Sequence, residues 1–243
     1  MIDTYLRPGF TFGQFACGSC NQLAYSSTQA AATGNRATFN PLIIYGASGL
    51  GKSHLLHAAG HQFVASNPTK RVICCTADAF TQALIDSLRT NQPSIFRDTF
   101  GSADLLLLDN VQSISQKERS QQELQYLHDR LADRQVQIVL TFDQHPSRIK
   151  GIAGHLQSWF SGGMIVELLM PDYETKRLIL DTLAFRHRVK LLDDVADFLA
   201  SIDVTSIKEL EGMMIRLGAY SSLQNVEVTL PLAIKCLHDV ICI

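Results

Sequence analysis

The sequence contains Gly46-Ala47-Ser48-Gly49-Leu50-Gly51-Lys52-Ser53, which fits the pattern G-x-x-x-x-G-K-[ST] of a phosphate-binding loop. An apolar run at 42–45 precedes it and predicts a buried strand, and residues 54–59 predict a helix. A strand, a glycine-rich turn and a helix N-terminus direct several backbone N–H groups at one point, which attracts phosphate. A glycine-rich loop with a chance lysine is the alternative, and both flanking elements disfavour it.

Each residue type in this loop suits one task in nucleotide binding. Glycine lets the backbone turn tightly and approach the phosphates, because it has no Cβ. The lysine ammonium reaches the β- and γ-phosphates, and the serine hydroxyl ligates Mg²⁺. We therefore expect ATP or ADP to bind here with Mg²⁺. The expected nucleotide contacts are Gly46, Gly49, Gly51, Lys52, Ser53 and His54.

Length and charge limit the classes of protein to consider. With 243 residues the chain has room for one large or two modest domains, and it can bury a core without disulfides. Its formal net charge is −2, so no global attraction to nucleic acid is expected. Any contact with DNA has to come from a local basic patch.

The six cysteines do not resemble a disulfide framework. Cys74 and Cys75 are adjacent in an apolar run, and the C-x-x-C pair at 17 and 20 has no second ligand pair for zinc. Reduced, mostly buried thiols predict a cytoplasmic protein. No apolar run is long enough for a membrane span, so no membrane partner is expected.

Apolar runs alternate with helical patterns through the first two thirds of the chain. The predicted strands are residues 42–45, 71–76, 104–109, 137–141 and 164–169. The third is apolar throughout its middle, as expected for a central parallel strand buried on both faces. The alternation predicts an α/β fold with a parallel sheet core and helices on both faces.

The pattern changes at Pro171. From there helices are predicted over 172–188, 193–202, 206–223 and 230–240. Ser206 and Glu209 form a capping-box pattern at the third of them. We therefore expect residues 1–170 to form the nucleotide-binding core and residues 171–243 a small all-helical lid.

Polar residues at two strand ends extend the predicted site. Asp109 ends the third strand, where carboxylates of phosphate-loop proteins hold Mg²⁺, although a simple turn residue is the alternative. Asn110 follows it, and an amide can orient a water molecule but cannot take its proton. Thr141 and Asp143 belong to the end of the fourth strand and can sense the γ-phosphate. We count Asp109, Asn110 and Asp143 as candidate catalytic residues and expect at most a weak ATPase.

Several motifs together carry a resemblance to a known family. They are Asn40-Pro41-Leu42, the phosphate loop with His54-Leu55-Leu56-His57-Ala58, Lys117-Glu118-Arg119-Ser120-Gln121, Leu140-Thr141-Phe142-Asp143, Pro171-Asp172-Tyr173-Glu174-Thr175 and Glu209-Leu210-Glu211-Gly212. The chain from about residue 11 to its end resembles the AAA+ domain of the bacterial replication initiator DnaA family. The resemblance implies an AAA+ P-loop NTPase fold with a C-terminal helical lid.

The resemblance also assigns roles to individual positions. Lys52 and Ser53 match the nucleotide and Mg²⁺ contacts, and Asp109 matches the Walker B acid. Asp143 matches the sensor 1 position, and Lys208 stands where the family has the sensor 2 arginine.

A second set of positions matches the family's surface for single-stranded DNA. Ile85 matches its apolar residue, and Lys117 with Arg119 matches its Lys-x-Arg pair. Cationic side chains there track the DNA backbone with little sequence preference. A solvated helix face is the alternative for these two cations.

The departures from the family pattern bear on activity. Asp109-Asn110 is similar to Hda, the DnaA homologue that regulates the initiator. Trp159 and His155 replace the arginines of the finger motif, and Arg148 lies just upstream. The sequence also shows no counterpart of the family's helix-turn-helix domain or of its amino-terminal domain.

Three functional hypotheses remain open at this point. The first is an ATP-binding initiator or regulator that assembles with DnaA-type AAA+ subunits or other replication proteins. The second is a slow stand-alone ATPase. The third is a nucleotide-binding scaffold with little catalysis.

Overall fold

The computed structural model describes residues 6–33 and 39–238, and it contains a five-stranded parallel sheet. The strands are β1 (Leu42–Tyr45), β2 (Val72–Thr76), β3 (Leu105–Asp109), β4 (Gln137–Phe142) and β5 (Met164–Glu167). All five predicted strands are present. β2 and β3 begin one residue later than predicted, β4 ends one residue later, and β5 ends two residues earlier.

The strands lie in the order β2-β3-β4-β1-β5, and every neighbouring pair is parallel. The register aligns Tyr45 with Phe142 and Leu108 with Leu140. The carboxyl ends of β1, β3 and β4 therefore meet at one edge, where parallel sheets bind their ligands. All five residues of β3 are buried, which confirms the prediction of a central strand.

The described residues form ten α-helices and three short 3₁₀ helices. The α-helices are α1 (Gln22–Ala31), α2 (Lys52–Ser66), α3 (Ala77–Arg89), α4 (Pro93–Gly101), α5 (Glu118–Ala132), α6 (Gly154–Ser161), α7 (Tyr173–His187), α8 (Asp193–Ser201), α9 (Ile207–Gln224) and α10 (Leu230–Leu237). The 3₁₀ helices are Phe12–Gln14, Val111–Ile114 and Pro146–Arg148. Residues 239 and 240 of the last predicted helix lie outside the described residues.

Helices cover both faces of the sheet, because its strands are apolar on both. Leu106, Leu108 and Ile138 share one cluster of buried residues with side chains of α3, α4, α5 and α6. Leu107 points to the opposite face, where a Cβ added at Gly60 of α2 would lie 3.1 Å from its Cδ1 atom. The α/β class with helices on both faces is thus confirmed.

Contacts divide the chain into two compact units. The first comprises Met1–Phe12, Leu23–Ala47 and Lys52–Leu168, and the second comprises Gly13–Gln22, Ser48–Gly51 and Leu169–Ile243. The second unit contains α7 to α10, whose buried residues form a separate core. The limits predicted from sequence, 1–170 and 171–243, remain a proposal.

The start of α9 differs from the predicted capping box. Ser206 is the N-cap, but its side chain makes no cap hydrogen bond. Glu209 instead reaches back by one more residue, where its Oε2 atom accepts from the N–H of Thr205 at 3.0 Å. The Thr205 hydroxyl also donates to this carboxylate, which lowers the pKa of Glu209.

Within residues 6–33 and 39–238, no helix combines the length and the apolar character needed to cross a membrane.

Candidate nucleotide site

The phosphate loop leaves the end of β1 through glycines in backbone conformations that other residues rarely adopt. Their φ angles are 152° at Gly46, 82° at Gly49 and 100° at Gly51. Space is also limited, because a Cβ at Gly46 would lie 2.5 Å from the carbonyl oxygen of Leu168. Glycine is therefore required for both the turn and the close approach of the backbone.

Lys52 is the first residue of α2, and the residue is only 7% exposed. Its Nζ atom donates to the carbonyl oxygens of Gly46 at 2.6 Å and Ala47 at 2.7 Å. The loop thus curls around its own ammonium group. A buried cation on a glycine-rich turn is suited to bind an anion that reaches the loop.

Three oxygen-bearing side chains from different elements meet beside the loop. The Ser53 hydroxyl, on the first turn of α2, donates to Asp109 Oδ2 at 2.6 Å. The hydroxyl of Thr141, on β4, donates to Asp109 Oδ1. Asp109 is 8% exposed and Thr141 is fully buried. Both oxygens of the carboxylate are therefore held in fixed positions.

Asn110 turns the chain immediately after Asp109. Its backbone is left-handed, with φ 58° and ψ 49°, a conformation that asparagine tolerates better than most residues. Its N–H donates to Thr141 Oγ1 at 2.9 Å, and its side chain is exposed. Asp143, one residue beyond the end of β4, is also exposed. Of the residues predicted at this strand end, Thr141 rather than Asp143 contacts the Walker B position.

The middle of the loop, Ser48–Gly51, belongs to the second unit and contacts the start of α9. The N–H of Ile207 donates to the carbonyl oxygen of Gly49 at 3.2 Å. A Cβ at Gly49 would lie 2.7 Å from Ser206 Cβ and 3.6 Å from Lys208 Cγ. The side chain of Lys208 therefore lies beside Gly49. Its role at the sensor 2 position stays a prediction.

Three histidines on one face of α2 bind the amino-terminal segment Arg7–Thr11. His54 Nε2 lies 2.8 Å from the carbonyl oxygen of Thr11, and His61 Nε2 lies 2.9 Å from that of Arg7. His57 Nδ1 accepts from the N–H of Arg7 at 3.4 Å. Phe10 stacks on His54 with ring centroids 4.8 Å apart. His54, which was predicted to contact nucleotide, thus helps to hold this segment against α2.

The pKa of His57 is lowered to about 4, chiefly because burial disfavours the charged ring. The neighbouring positive charge of Arg7 lowers it further. The ring is consequently neutral at physiological pH, with Nδ1 able to accept hydrogen bonds. The thiol of Cys74, 3.6 Å from the same nitrogen, is a second contact to it.

A separate groove brings together the three residues predicted to face single-stranded DNA. Ile85, Lys117 and Arg119 line a cavity of about 610 Å³ between α3 and the start of α5. Its other lining residues are Asp78, Thr81, Gln82, Leu84, Leu88, Glu118 and Ser120. The groove has an apolar wall and charged residues at one end. Lys117 Nζ lies 3.1 Å from Asp78 Oδ1.

The positions of the missing finger arginines lie on α6. Trp159 is half-buried and packs against His128 with ring centroids 4.3 Å apart, and His155 is exposed. Arg148 is exposed as well. Trp159 is therefore a packing residue at the edge of the core in this chain.

Sequence reasoning did not identify two features of the site. One is the contact of Thr141 with Asp109, and the other is the role of Phe10 and Thr11 in holding His54. The spacing of His54, His57 and His61 on one helix face was the available signal for the second. Among the described residues, no group of three or more His, Cys, Asp or Glu side chains is arranged to hold a metal ion.

Comparison with known families identifies relatives of this chain. Residues 6–167 match the family model of the bacterial DnaA ATPase domain. The chromosomal replication initiator protein DnaA of Pelobacter propionicus is 43% identical over 236 residues, covering 97% of this chain and 52% of that protein. The DnaA protein of Geobacter sulfurreducens is 42% identical over 98% of this chain and 54% of that protein. The chain spans about half the length of the curated relatives it matches.

Solved structures of similar proteins share the fold. Domain III of the Thermotoga maritima replication initiation protein DnaA is 33% identical, with a TM-score of 0.93 over 99% of this chain and 100% of that one. A replication initiator DnaA bound to AMPPCP and single-stranded DNA is 36% identical, with a TM-score of 0.80 over 91% of this chain and 69% of that one. An AMPPCP-bound DnaA from Aquifex aeolicus is 35% identical, with a TM-score of 0.80 over 90% of this chain and 67% of that one.

Proposed function

Because the chain belongs to the bacterial DnaA ATPase domain family, we propose that it binds ATP or ADP and acts in the initiation of chromosomal DNA replication or its regulation. The nucleotide binds at the loop Gly46–Ser53, with Lys52 on the β- and γ-phosphates. The proposal is supported by relatives that are DnaA initiators and by related structures bound to AMPPCP. In the second unit, Lys208 adds a positive charge beside Gly49.

The arrangement of Ser53 and Asp109 is the observation that carries the proposal. A hydroxyl and a carboxylate stand 2.6 Å apart beside a phosphate loop, and Mg²⁺ prefers such hard oxygen ligands. These residues fit the ion: Ser53 and Asp109 would hold it, and the bound ion would neutralise phosphate charge. Thr141 orients the carboxylate from behind, as residues in contact with metal ligands commonly do.

Hydrolysis by the isolated chain is expected to be slow. Asn110 is exposed beside Asp109, where it can orient water through its amide but cannot accept the proton. Trp159 occupies the finger position, so the chain offers no guanidinium there to a neighbouring subunit. The chain is therefore a weak ATPase at most, and its output is the nucleotide-bound state.

Substitution of Lys52 tests this assignment. In Lys52→Ala the loop keeps its glycines but loses its ammonium group, so affinity for ATP and ADP should fall below detection in calorimetric titration. Lys150→Ala, which removes the same charge from an exposed residue, is the matched control. Unchanged affinity in Lys52→Ala, with wild-type thermal stability, would contradict the nucleotide assignment.

A second candidate function is binding of single-stranded DNA at the groove between α3 and α5. It is favoured because Ile85, Lys117 and Arg119 line one cavity, and a related structure holds single-stranded DNA. The apolar wall accommodates sugars and base faces, while the cations bind phosphates. Arg119→Ala should weaken binding of a labelled oligothymidylate and make it less salt-dependent. Equal affinity in wild type and Arg119→Ala would rule out this surface.

We also propose that the chain assembles with other DnaA-type AAA+ subunits or replication proteins. The nucleotide site keeps Lys52, Ser53 and Asp109, whereas Trp159 and His155 stand at the positions of the family's finger arginines. Such a subunit can bind a partner that places its own arginine on the ATP of this chain. It has no arginine at positions 155 and 159 to place on the ATP of a neighbouring subunit. This one-sided arrangement suits a regulator that ends an assembly.

A further inference from the structure

The charged residues of the groove between α3 and α5 are not equivalent. Two cations, Lys117 and Arg119, and two acids, Asp78 and Glu118, line it, so their formal charges cancel. Lys117 is paired with Asp78 at 3.1 Å. Arg119 is exposed and has no hydrogen-bond or ion-pair partner among residues 6–33 and 39–238. Only one of the two cations is therefore unpaired.

The secondary structure holds Asp78 in place. It is the second residue of α3, directly after the N-cap Thr76 and the first residue Ala77. An acid in the first turn of a helix is stabilised by the partial positive charge there. Lys117 is the N-cap of α5, and a hydroxyl pair between Thr81 and Ser120, 3.1 Å apart, joins the two helices. The ion pair thus bridges the starts of two helices that also contact each other through Thr81 and Ser120.

We propose that Asp78 limits the affinity of this groove for single-stranded DNA by competing with the backbone phosphate for Lys117. The inference rests on the proposed DNA-binding function of the groove. A phosphate has to displace the Asp78 carboxylate before Lys117 can bind it, and Asp78 repels the phosphate during the approach. Arg119 is the first phosphate contact, and Lys117 contributes only when its pair with Asp78 opens.

The side chains are exposed enough for this exchange to occur. The side chains of Asp78 and Lys117 are 67% and 42% exposed, so the pair is weak and salt-sensitive. The competition therefore adjusts affinity within a narrow range. It also keeps this end of the groove neutral when DNA is not bound, which reduces attraction to other polyanions.

A double-mutant cycle tests the competition, with fluorescence anisotropy of a labelled oligothymidylate as the readout. Asp78→Asn should bind about two- to fivefold more tightly at low salt, as expected for an exposed ion pair. The salt slope should steepen by about 0.7, the value for one more phosphate contact on a single strand. The gain should be clearly smaller in a Lys117→Ala background, where only the direct repulsion between Asp78 and the phosphate is left to remove. Asp98→Asn is the control, since Asp98 is 72% exposed and pairs with Arg130 outside the groove.

The outcomes separate the inference from the function on which it rests. If wild type binds DNA and Asp78→Asn gains equally with and without Lys117, Asp78 only repels phosphate and the competition is refuted. If Asp78→Asn shows no gain beyond Asp98→Asn, the inference fails while DNA binding stands. If no variant binds the oligonucleotide at any salt concentration, the proposed DNA function fails and the inference fails with it.

Discussion

Replacing Thr141 by valine should weaken the binding of Mg–ATP and leave the binding of ATP without Mg²⁺ unchanged. The two side chains have nearly the same shape, but valine cannot donate to Asp109 or accept from the N–H of Asn110. A hydrogen bond to a charged group is worth about 1.5–3 kcal/mol and a neutral one about 1 kcal/mol. Because Thr141 is fully buried, water cannot replace its hydroxyl. We expect a loss of about 2–4 kcal/mol in the free energy of unfolding.

In Thr141→Val, the affinity for ATP should fall only when Mg²⁺ is present. With one carboxylate oxygen released, Asp109 is free to rotate, and binding of Mg–ATP should weaken by about tenfold, equivalent to about 1.4 kcal/mol. ATP affinity measured with EDTA should stay at the wild-type value, because Lys52 and the loop are unchanged. Titration calorimetry under both conditions, with urea unfolding of the same samples, measures each effect.

Thr141→Ser is the matched control for this substitution. It keeps the hydroxyl and removes one buried methyl group, so it should lose about 1 kcal/mol of stability and bind Mg–ATP normally. The reasoning is refuted if valine binds Mg–ATP as wild type does while losing stability. Equal defects in valine and serine variants would show that packing at Thr141 matters and the hydroxyl does not.

Three further predictions concern catalysis, pH and assembly. Asn110→Asp should raise the slow ATP turnover of the isolated chain, because a carboxylate can accept a proton from water; an unchanged rate in a phosphate-release assay would count against this role. The pKa of His57 is about 4 in the folded chain against 6.5 for a free imidazole, so between these pH values only the unfolded chain binds the proton. The free energy of unfolding is therefore highest above pH 6.5 and falls as the pH decreases toward 4. The loss should approach about 3 kcal/mol, and His57→Asn should flatten this part of the profile in denaturant unfolding at stepped pH. Sedimentation with and without ATP should show no long oligomers of this chain alone; ATP-dependent oligomers that disappear in Arg148→Ala would instead identify a displaced finger.

The sheet was predictable from sequence because strand signals in this chain are strong and separated by clear helical patterns. Residues 104–109 carry four consecutive leucines, and a buried parallel strand is their natural environment. The strand order β2-β3-β4-β1-β5 was not predicted, because alternation along the chain specifies parallel pairing without specifying which strands are neighbours. The capping contact of Glu209 was off by one residue for a similar reason. The pattern fixes the participants, but the N–H that the carboxylate reaches depends on the loop geometry at Thr205.

Candidate site residues could be named from the sequence where a local pattern marks them. Lys52 and Ser53 are specified by the motif, and Asp109 by the end of an apolar strand. The contact between Thr141 and Asp109 depends on β4 lying next to β3, which only the folded sheet reveals. The Asp78–Lys117 pair could not be predicted for the same reason, since 39 positions separate its members along the chain.

The three histidines on one face of α2 affect what nucleotide binding by shortened forms of this chain would mean. Arg7, Phe10 and Thr11 cover the rings of His54, His57 and His61 on the helix that begins at Lys52. Trimming these residues would remove these backbone partners from three imidazoles, the first of which, His54, directly follows the phosphate loop. A deletion that removes no phosphate ligand would then weaken nucleotide binding and imitate a mutation in the loop itself. Deletion mapping at this end would therefore place the nucleotide site too close to the amino terminus.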